Sequence, residues 1–393
     1  MELRRIADAV GIGKYPTVLD DIYFAMPKTD TPACDLELID SLQKEYNIFG
    51  EYYDVVRQTA IELNNDRNRS TWIKVCVEYA KNRTVSEART IPVPRADGTQ
   101  MTALLPLYIL LPQIPMGIQK YKDRGFSAEE IDRINGGYAA GMRTVCGQTG
   151  MPGVNALYYW WLNIFAKAVI FITNGLQFEL RMLPANAVYL RNKEDGTVLP
   201  VMAAGTYHRS GIQNLGSPAY EDPDGSFVAQ FREDEENYYG HGAFNSVVDP
   251  EEKTFSKALW ECVAGPGDGC LSIHIPRGAD ISRETLDKAV DSAYTIAKQR
   301  YPEYDAKVIF GSSWILDPKL QEYVGPNSKI TGLQNAFHTY PQKCDGKSLF
   351  GYVFPKNYKS LETLPEDTSL QRKLKKWYLD GGYIYDYAGA IVK

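Results

Sequence analysis

Residues 259–318 read LWECVAGPGDGCLSIHIPRGADISRETLDKAVDSAYTIAKQRYPEYDAKVIFGSSWILDP, and this stretch decides the fold. The turn Pro266-Gly267-Asp268-Gly269 leads into a short apolar run at 270–275, which Pro276 and Gly278 end. Ser282 then opens a helical pattern, with Leu286, Ala289, Val290, Ala293, Ile296 and Ala297 on one face. Tyr301-Pro302 closes it, and Val308-Ile309-Phe310 begins a second apolar run. The order is strand, tight loop, helix, strand. A crossover helix of this length predicts that the two strands run parallel in one sheet. The helix N-terminus then faces the C-terminal end of the first strand. Its unpaired N–H groups and its dipole make an anion site suited to a pyrophosphate. Many nucleotide and coenzyme proteins share that geometry.

The chain has 393 residues, enough for two domains with a large core. Hydrophobic residues make up 44% and charged residues 23%, as in soluble globular proteins. A net charge of −6 and the lack of any Lys/Arg run exclude a non-specific nucleic-acid binder. Cysteines at 34, 76, 146, 262, 270 and 344 form no C-x-x-C pair, so reduced thiols are expected. Four histidines with no ligand spacing predict no metal site. Two apolar stretches, 103–118 and 156–172, are broken by Pro106, Pro112 and Pro115 and by Asn163 and Lys167. Both are read as core rather than membrane spans. No signal peptide is evident, so a cytoplasmic protein is expected. The 27 tyrosines fit either a carbohydrate-facing surface or ordinary cores and interfaces.

The first part of the chain is patterned as helix. Leu36, Ile39, Leu42 and Tyr46 share a period, as do residues 55–63, and Ser70 is the expected cap of a helix at 72–80. Ser127-Ala128-Glu129-Glu130 is a capping box. Gly136-Gly137 and 147–153 are read as loop, with the domain boundary near residue 150. A helical face follows from Val154, and Asn174-Gly175 is read as its stop. Residues 176–183 alternate as a strand, and 188–190 and 198–202 form a hairpin through Asp195-Gly196. Residues 210–224 are loop-rich, and Asp249-Pro250-Glu251-Glu252 is expected to open a helix. Further on, 313–324, 330–337 and 368–379 are expected helices, 349–354 an expected strand, and 383–392 a final strand or hairpin. The fold class is α/β (α+β): a helical domain at 1–150 and a mixed-sheet domain at 151–393.

Several motifs then occur in a telling order. They are Gly175-Leu176-Gln177-Phe178-Glu179, Leu271-Ser272-Ile273-His274-Ile275-Pro276 and Ser313-Trp314-Ile315-Leu316-Asp317-Pro318. Asn327-Ser328-Lys329-Ile330 with Asn335-Ala336-Phe337 follows, then residues 364–372 and Gly381-Gly382. Together they resemble a bacterial two-domain acyltransferase family, with a helical N-acyltransferase N-terminal domain and a GNAT-like C-terminal domain. The resemblance runs from about residue 35 to the end.

That resemblance implies an enzyme that moves an acyl group from acetyl-CoA or another acyl-CoA, as co-substrate, to a small-molecule amine. No metal and no membrane or nucleic-acid partner is implied. A backbone N–H at Ile273 to Ile275 would polarise the thioester carbonyl. Arg277, Gly278 and Ser282 would hold the pyrophosphate, and Ser312 and Ser313 would end the second strand at the ligand. Tyr323 falls where such enzymes place a phenol that protonates the thiolate. The loop departs from the family pattern: Arg277-Gly278-Ala279-Asp280-Ile281-Ser282 lacks the second small residue and puts Asp280 where an anion should sit.

Each candidate also has a plainer reading. His274 is either a base for the amine or a hydrogen-bonded structural histidine. Glu179 is either a base acting through water or a half-exposed strand carboxylate. Arg277 either meets a pyrophosphate, or sits in solvent or pairs with Asp280. Cys270 is read as packed, not nucleophilic. Two further functions stay open: a catalytically degenerate acyl-CoA-binding module, and a carbohydrate-handling protein.

Overall fold

The computed structural model describes residues 2–27, 31–81, 83–88, 90–213, 225–344, 346, 348–354 and 359–393. Residues 214–224 of the expected loop lie outside these. The chain divides into two units, Met1–Ile172 and Thr173–Lys393.

The first unit is helical. In order run α1 (Glu2–Ala9), α2 (Val18–Ala25), α3 (Leu36–Tyr46), α4 (Tyr53–Asn65) and α5 (Arg67–Ala80). Then come α6 (Val85–Ala88), α7 (Gln100–Leu110), α8 (Ile114–Asp123), α9 (Ala128–Thr149) and α10 (Ala156–Ala166). The cap of α5 is Asp66, which accepts from Arg69 N, rather than Ser70. The Ser127–Glu130 capping box opens α9 as expected. Gly136, Gly137 and Gly147 are not loop: α9 runs through all three. At Gly137, and at Gly141 one turn on, the reason is packing. A Cβ on Gly137 would come within 2.7 Å of the Phe165 ring, and one on Gly141 within 3.1 Å of Leu162. The small residues let α10 lie close on α9. For the same reason the division of the chain falls after Ile172 and not near 150, since α10 packs on α7, α8 and α9. Residues 100–123 are long and apolar enough to cross a membrane, but they form α7 and α8 and are largely buried within the protein.

The second unit begins with a strand pair. β1 (Ile170–Thr173) straddles the division and turns into β2 (Leu176–Met182). Asn174 and Gly175, read as a helix stop, are the two central residues of this hairpin, with φ of 49° and 76°. Positive φ at both is what a two-residue hairpin turn of right-handed twist requires. Next come β3 (Ala187–Asn192), β4 (Val198–Met202), β5 (Ala204–His208), β6 (Ser226–Gln230), β7 (Arg232–Glu233), β8 (Asn237–Phe244) and β9 (Val247–Val248). They are followed by β10 (Lys253–Ser256), β11 (Trp260–Ala264), β12 (Gly269–His274), α11 (Arg283–Arg300) and β13 (Ala306–Ser313). The expected helix at Asp249 does not form. Asp249 accepts from Glu251 N two residues on, a local turn, and Lys253–Ser256 pairs with β8 instead. No apolar helical period follows Asp249 to hold a helix there.

Residues 313–324 make two 3₁₀ turns, Trp314–Leu316 and Pro318–Leu320, and a short α12 (Gln321–Val324). Then come α13 (Lys329–Gln334) and β14 (His338–Pro341). The expected strand at 349–354 is the helical turn α14 (Phe350–Val353). Leu349, Phe350 and Phe354 are spaced as one face of a helix and enter a cluster with Leu374 and Tyr378. α15 (Ser369–Leu379), capped by Thr368 as expected, and β15 (Tyr387–Ile391) complete the chain.

Two sheets result. One runs β1-β2-β12-β13-β15-β14, and the other β10-β8-β4-β3-β11 with β7 and β9 on β8. β12 and β13 are parallel, as the crossover predicts, and β2 is antiparallel to β12. A shared core of Tyr189, Met202, Tyr207, Cys270, Val308, Phe310, Tyr340, Ala388 and Ala390 joins the sheets. On the first sheet these residues alternate with Leu271, Ile273 and Ile309, which face the other side, where α11 buries Leu286, Ala289, Val290 and Ala293.

Candidate active site

The parallel ladder between β12 and β13 ends at the pair Ser272–Phe310, although both strands continue. β12 stays paired with β2 as far as His274, and β13 with β15 as far as Ser313. The two central strands therefore part at their C-terminal ends. Along the face shared with the second sheet, burial changes at the same point. Cys270 and Ser272 on β12, and Val308 and Phe310 on β13, are buried, whereas His274 is half-buried and Ser312 exposed. A dry core opens into a polar mouth.

His274 and Glu179 meet on that face. Ser272 pairs directly with Glu179, so His274 is its diagonal neighbour across the β2–β12 ladder. The His274 Nε2 lies 3.0 Å from Glu179 Oε2. Glu179 is 3% exposed, well short of the half-exposed strand carboxylate of the plainer reading. A buried carboxylate needs such a partner. A neutral ring that donates Nε2–H to Glu179 carries its acceptor lone pair on Nδ1.

On the opposite side of β12, Ile273 is buried, and Ile275 just beyond the strand is exposed. The loop then turns at Pro276–Ala279, where Ala279 N donates to Pro276 O at 3.0 Å. Gly278, at φ +82°, supplies the backbone conformation the turn needs, and a side chain there would meet open space. Arg277 is exposed and does not pair with Asp280. Asp280 instead takes Lys329 Nζ at 2.8 Å, Thr285 Oγ1 at 2.7 Å and Ser282 Oγ at 2.9 Å. It also accepts from Ser282 N. The Lys329 ammonium, then the Thr285 and Ser282 hydroxyls, hold its carboxyl well below the usual carboxylate range. Ser282 caps α11 by accepting from Thr285 N. The carboxylate expected in the loop thus sits on the start of α11.

Ser312 Oγ donates to Gln342 Oε1 at 2.6 Å, and Ser313 caps the turn at Trp314. Tyr323 lies on α12. Its ring packs on Trp377, 5.8 Å between centroids, and its carbonyl accepts from Lys373 Nζ. Burial, then Glu322 and Asp317, push its phenol up to about 12. Cys270 is fully buried, and burial pushes its thiol up to about 12, as a packed residue should show. The structure therefore groups His274 with Glu179, and Gly278 with Ser282 and the α11 N-terminus. Among the described residues no hydrogen bond links Tyr323 to either group.

Three participants carried no assigned role in the sequence: Lys329, Gln342 and Asp317. Lys329 reaches Asp280 across 49 residues, and Gln342 reaches Ser312 across 30, separations that no local pattern reports. Asp317 is 2% exposed, accepting from Lys319 N at 2.8 Å and Tyr385 N at 2.7 Å. Burial raises its carboxyl to about 6, more than these two N–H groups lower it. Among the described residues no cluster of His, Cys, Asp and Glu is arranged to hold a metal ion.

These features are those of a mixed-sheet α/β domain with a crossover helix behind its central parallel strands, and comparison gives the family. Residues 174–391, more than half of the chain, match the model of the GNAT-like C-terminal domain, and the chain belongs to that family. No curated protein matches. Among solved structures, an acyltransferase mutant in complex with octanoyl-CoA is similar at a TM-score of 0.66 and 16% identity. An acyltransferase in complex with decanoyl-CoA and teicoplanin is similar at 0.65 and 17%. Each comparison covers 100% of this chain and 99% of the other. At such identities the likeness is one of fold.

Proposed function

We propose that this protein transfers an acyl group from acyl-CoA to a small-molecule amine by direct attack. The observation that carries the reading is the parting of β12 and β13 beyond Ser272–Phe310, with the His274–Glu179 pair at the opening. Similar folds in complex with octanoyl-CoA, decanoyl-CoA, CoA and teicoplanin support it.

Acyl-CoA is a co-substrate here. Its thioester lies along the free edge of β12, where a backbone N–H at Ile273 to Ile275 donates to the carbonyl oxygen and stabilises the developing oxyanion. The pyrophosphate lies at the Gly278 turn and the α11 N-terminus, with Arg277 beside it. His274 Nδ1 takes the proton from the acceptor nitrogen as that nitrogen attacks the carbonyl carbon. The C–N bond forms, the C–S bond breaks, and the electron pair leaves on sulfur. Glu179 fixes the ring and stabilises the imidazolium. The thiolate is protonated by Tyr323, whose phenol burial keeps protonated, or by solvent. General base catalysis of this kind contributes roughly 10²- to 10⁴-fold.

The test is turnover. Purified protein with octanoyl- or decanoyl-CoA and a panel of amines should release free thiol and form the amide. Thiol release that no amine accelerates would refute transfer to an amine. One observation favours a second reading. Asp280 already occupies the start of α11, as expected of a degenerate coenzyme-binding module. Tight CoA binding without turnover would select it.

A further inference from the structure

The inference here rests on the acyl-transfer reading above and concerns the acceptor. His274 and Ser312 each stand two residues beyond the last β12–β13 pair, Ser272–Phe310. By strand alternation both face the second sheet. They flank the mouth from opposite strands. The α11 N-terminus, proposed for the coenzyme's phosphates, belongs to the helix on the other face. A group beside Ser312 therefore lies on the same face as His274.

Ser312 does not stand alone. Gln342 reaches it over β15, which separates β13 from β14 and is built there of small residues: Ser312 pairs with Ala388 and Gly311 with Gly389. The Gln342 backbone is tied down by its N–H donating to Asp386 O at 2.9 Å. With its hydroxyl proton spent on Gln342 Oε1, Ser312 Oγ offers a lone pair, and Gln342 Nε2 offers two N–H groups. The mouth thus presents an acceptor and a donor side by side, opposite the base.

We propose that Ser312 and Gln342 are specificity-determining residues that clamp a hydroxyl or amide carried next to the acceptor's amine. The substrate class is an amino alcohol, amino sugar or amino amide, in preference to a simple alkylamine. Gln342 is the new member of the site. Both residues act by positioning the acceptor before His274.

The experiment uses the full chain with octanoyl-CoA and two matched acceptors, 2-aminoethanol and ethylamine. The ratio of their kcat/KM values is measured for the wild type, Gln342→Leu and Ser312→Ala, and octanoyl-CoA affinity is measured by calorimetry. Comparing ratios cancels the different basicities of the two amines. In each variant the ratio should move about tenfold toward ethylamine, the worth of one hydrogen bond, with coenzyme affinity unchanged. A ratio unchanged in both variants overturns the proposal, as does an equal loss of coenzyme affinity, which would assign Ser312 to the coenzyme. Equal transfer to both amines by the wild type overturns only this proposal. Transfer to neither overturns the amine-acceptor reading and this proposal with it.

Discussion

Asp317 gives the sharpest quantitative prediction. It is the Asp of the Ser313–Pro318 motif, 2% exposed, holding the backbone of Lys319 and Tyr385 together. Its carboxyl is raised from 3.8 to about 6, by burial first, with its two backbone N–H bonds pulling the other way. A folded-state value above the unfolded one means that the fold favours the protonated form. The associated stability is fully present below about pH 4 and lost as pH rises through about 6. The gap corresponds to about 3 kcal/mol. In Asp317→Asn nothing titrates at this position. Urea unfolding of wild type and variant, followed by tryptophan fluorescence between pH 4 and 7.5, isolates the effect. The wild type's stability relative to the variant should fall by roughly 2 to 3 kcal/mol across that range. The variant itself should cost roughly 1–3 kcal/mol at low pH, because its amide turns a donor toward one of the two N–H groups. A relative stability that is flat, or that rises with pH, would refute the reasoning: the two N–H bonds would then outweigh burial.

Other predictions are briefer. Gly136→Ala should raise the melting temperature, since a Cβ there meets nothing within 4 Å and alanine favours helix by roughly 1 kcal/mol. Gly137→Ala, one residue on, should lower it, because its Cβ would press on the Phe165 ring, typically at about 1–3 kcal/mol. His274→Gln should reduce kcat by roughly 10²- to 10⁴-fold with octanoyl-CoA affinity unchanged. Glu179→Gln should lower kcat by less; full activity in either variant would exclude the dyad as the base. Tyr323→Phe should reduce kcat without changing coenzyme affinity if its phenol protonates the thiolate, and an unchanged kcat would leave that step to solvent.

Much of the second unit was legible because its signals are local. The apolar run of β12, the stripe of α11 and the Thr368 cap of α15 each occupy fewer than twenty residues. The misread elements share one cause: a local signal overridden by a distant partner. Gly137 reads as loop until Phe165 is seen to need the space. Asp249-Pro250 reads as a helix start until β8 offers a ladder to the following residues. Residues 349–354 are apolar enough for a strand, but their spacing serves the Leu374–Tyr378 cluster. His274 and Glu179 were both legible as candidates, but not as a pair. Their meeting depends on the β2–β12 register across 95 residues. Asp280 was seen as an obstacle to phosphate, but Lys329, which holds it, was legible only as part of the Asn327–Ile330 motif and not as its partner.

The central claim is that the parted strands and the α11 N-terminus receive acyl-CoA. Thermal unfolding against CoA and acyl-CoAs of increasing chain length tests it most directly. At about a hundred times its dissociation constant, a ligand stabilises the fold by roughly 2.7 kcal/mol. For a unit of this size the account predicts a rise of about 5 to 10 °C, graded with acyl length and reduced by Arg277→Ala. No shift with any thioester, under conditions where the protein unfolds cooperatively, would contradict it.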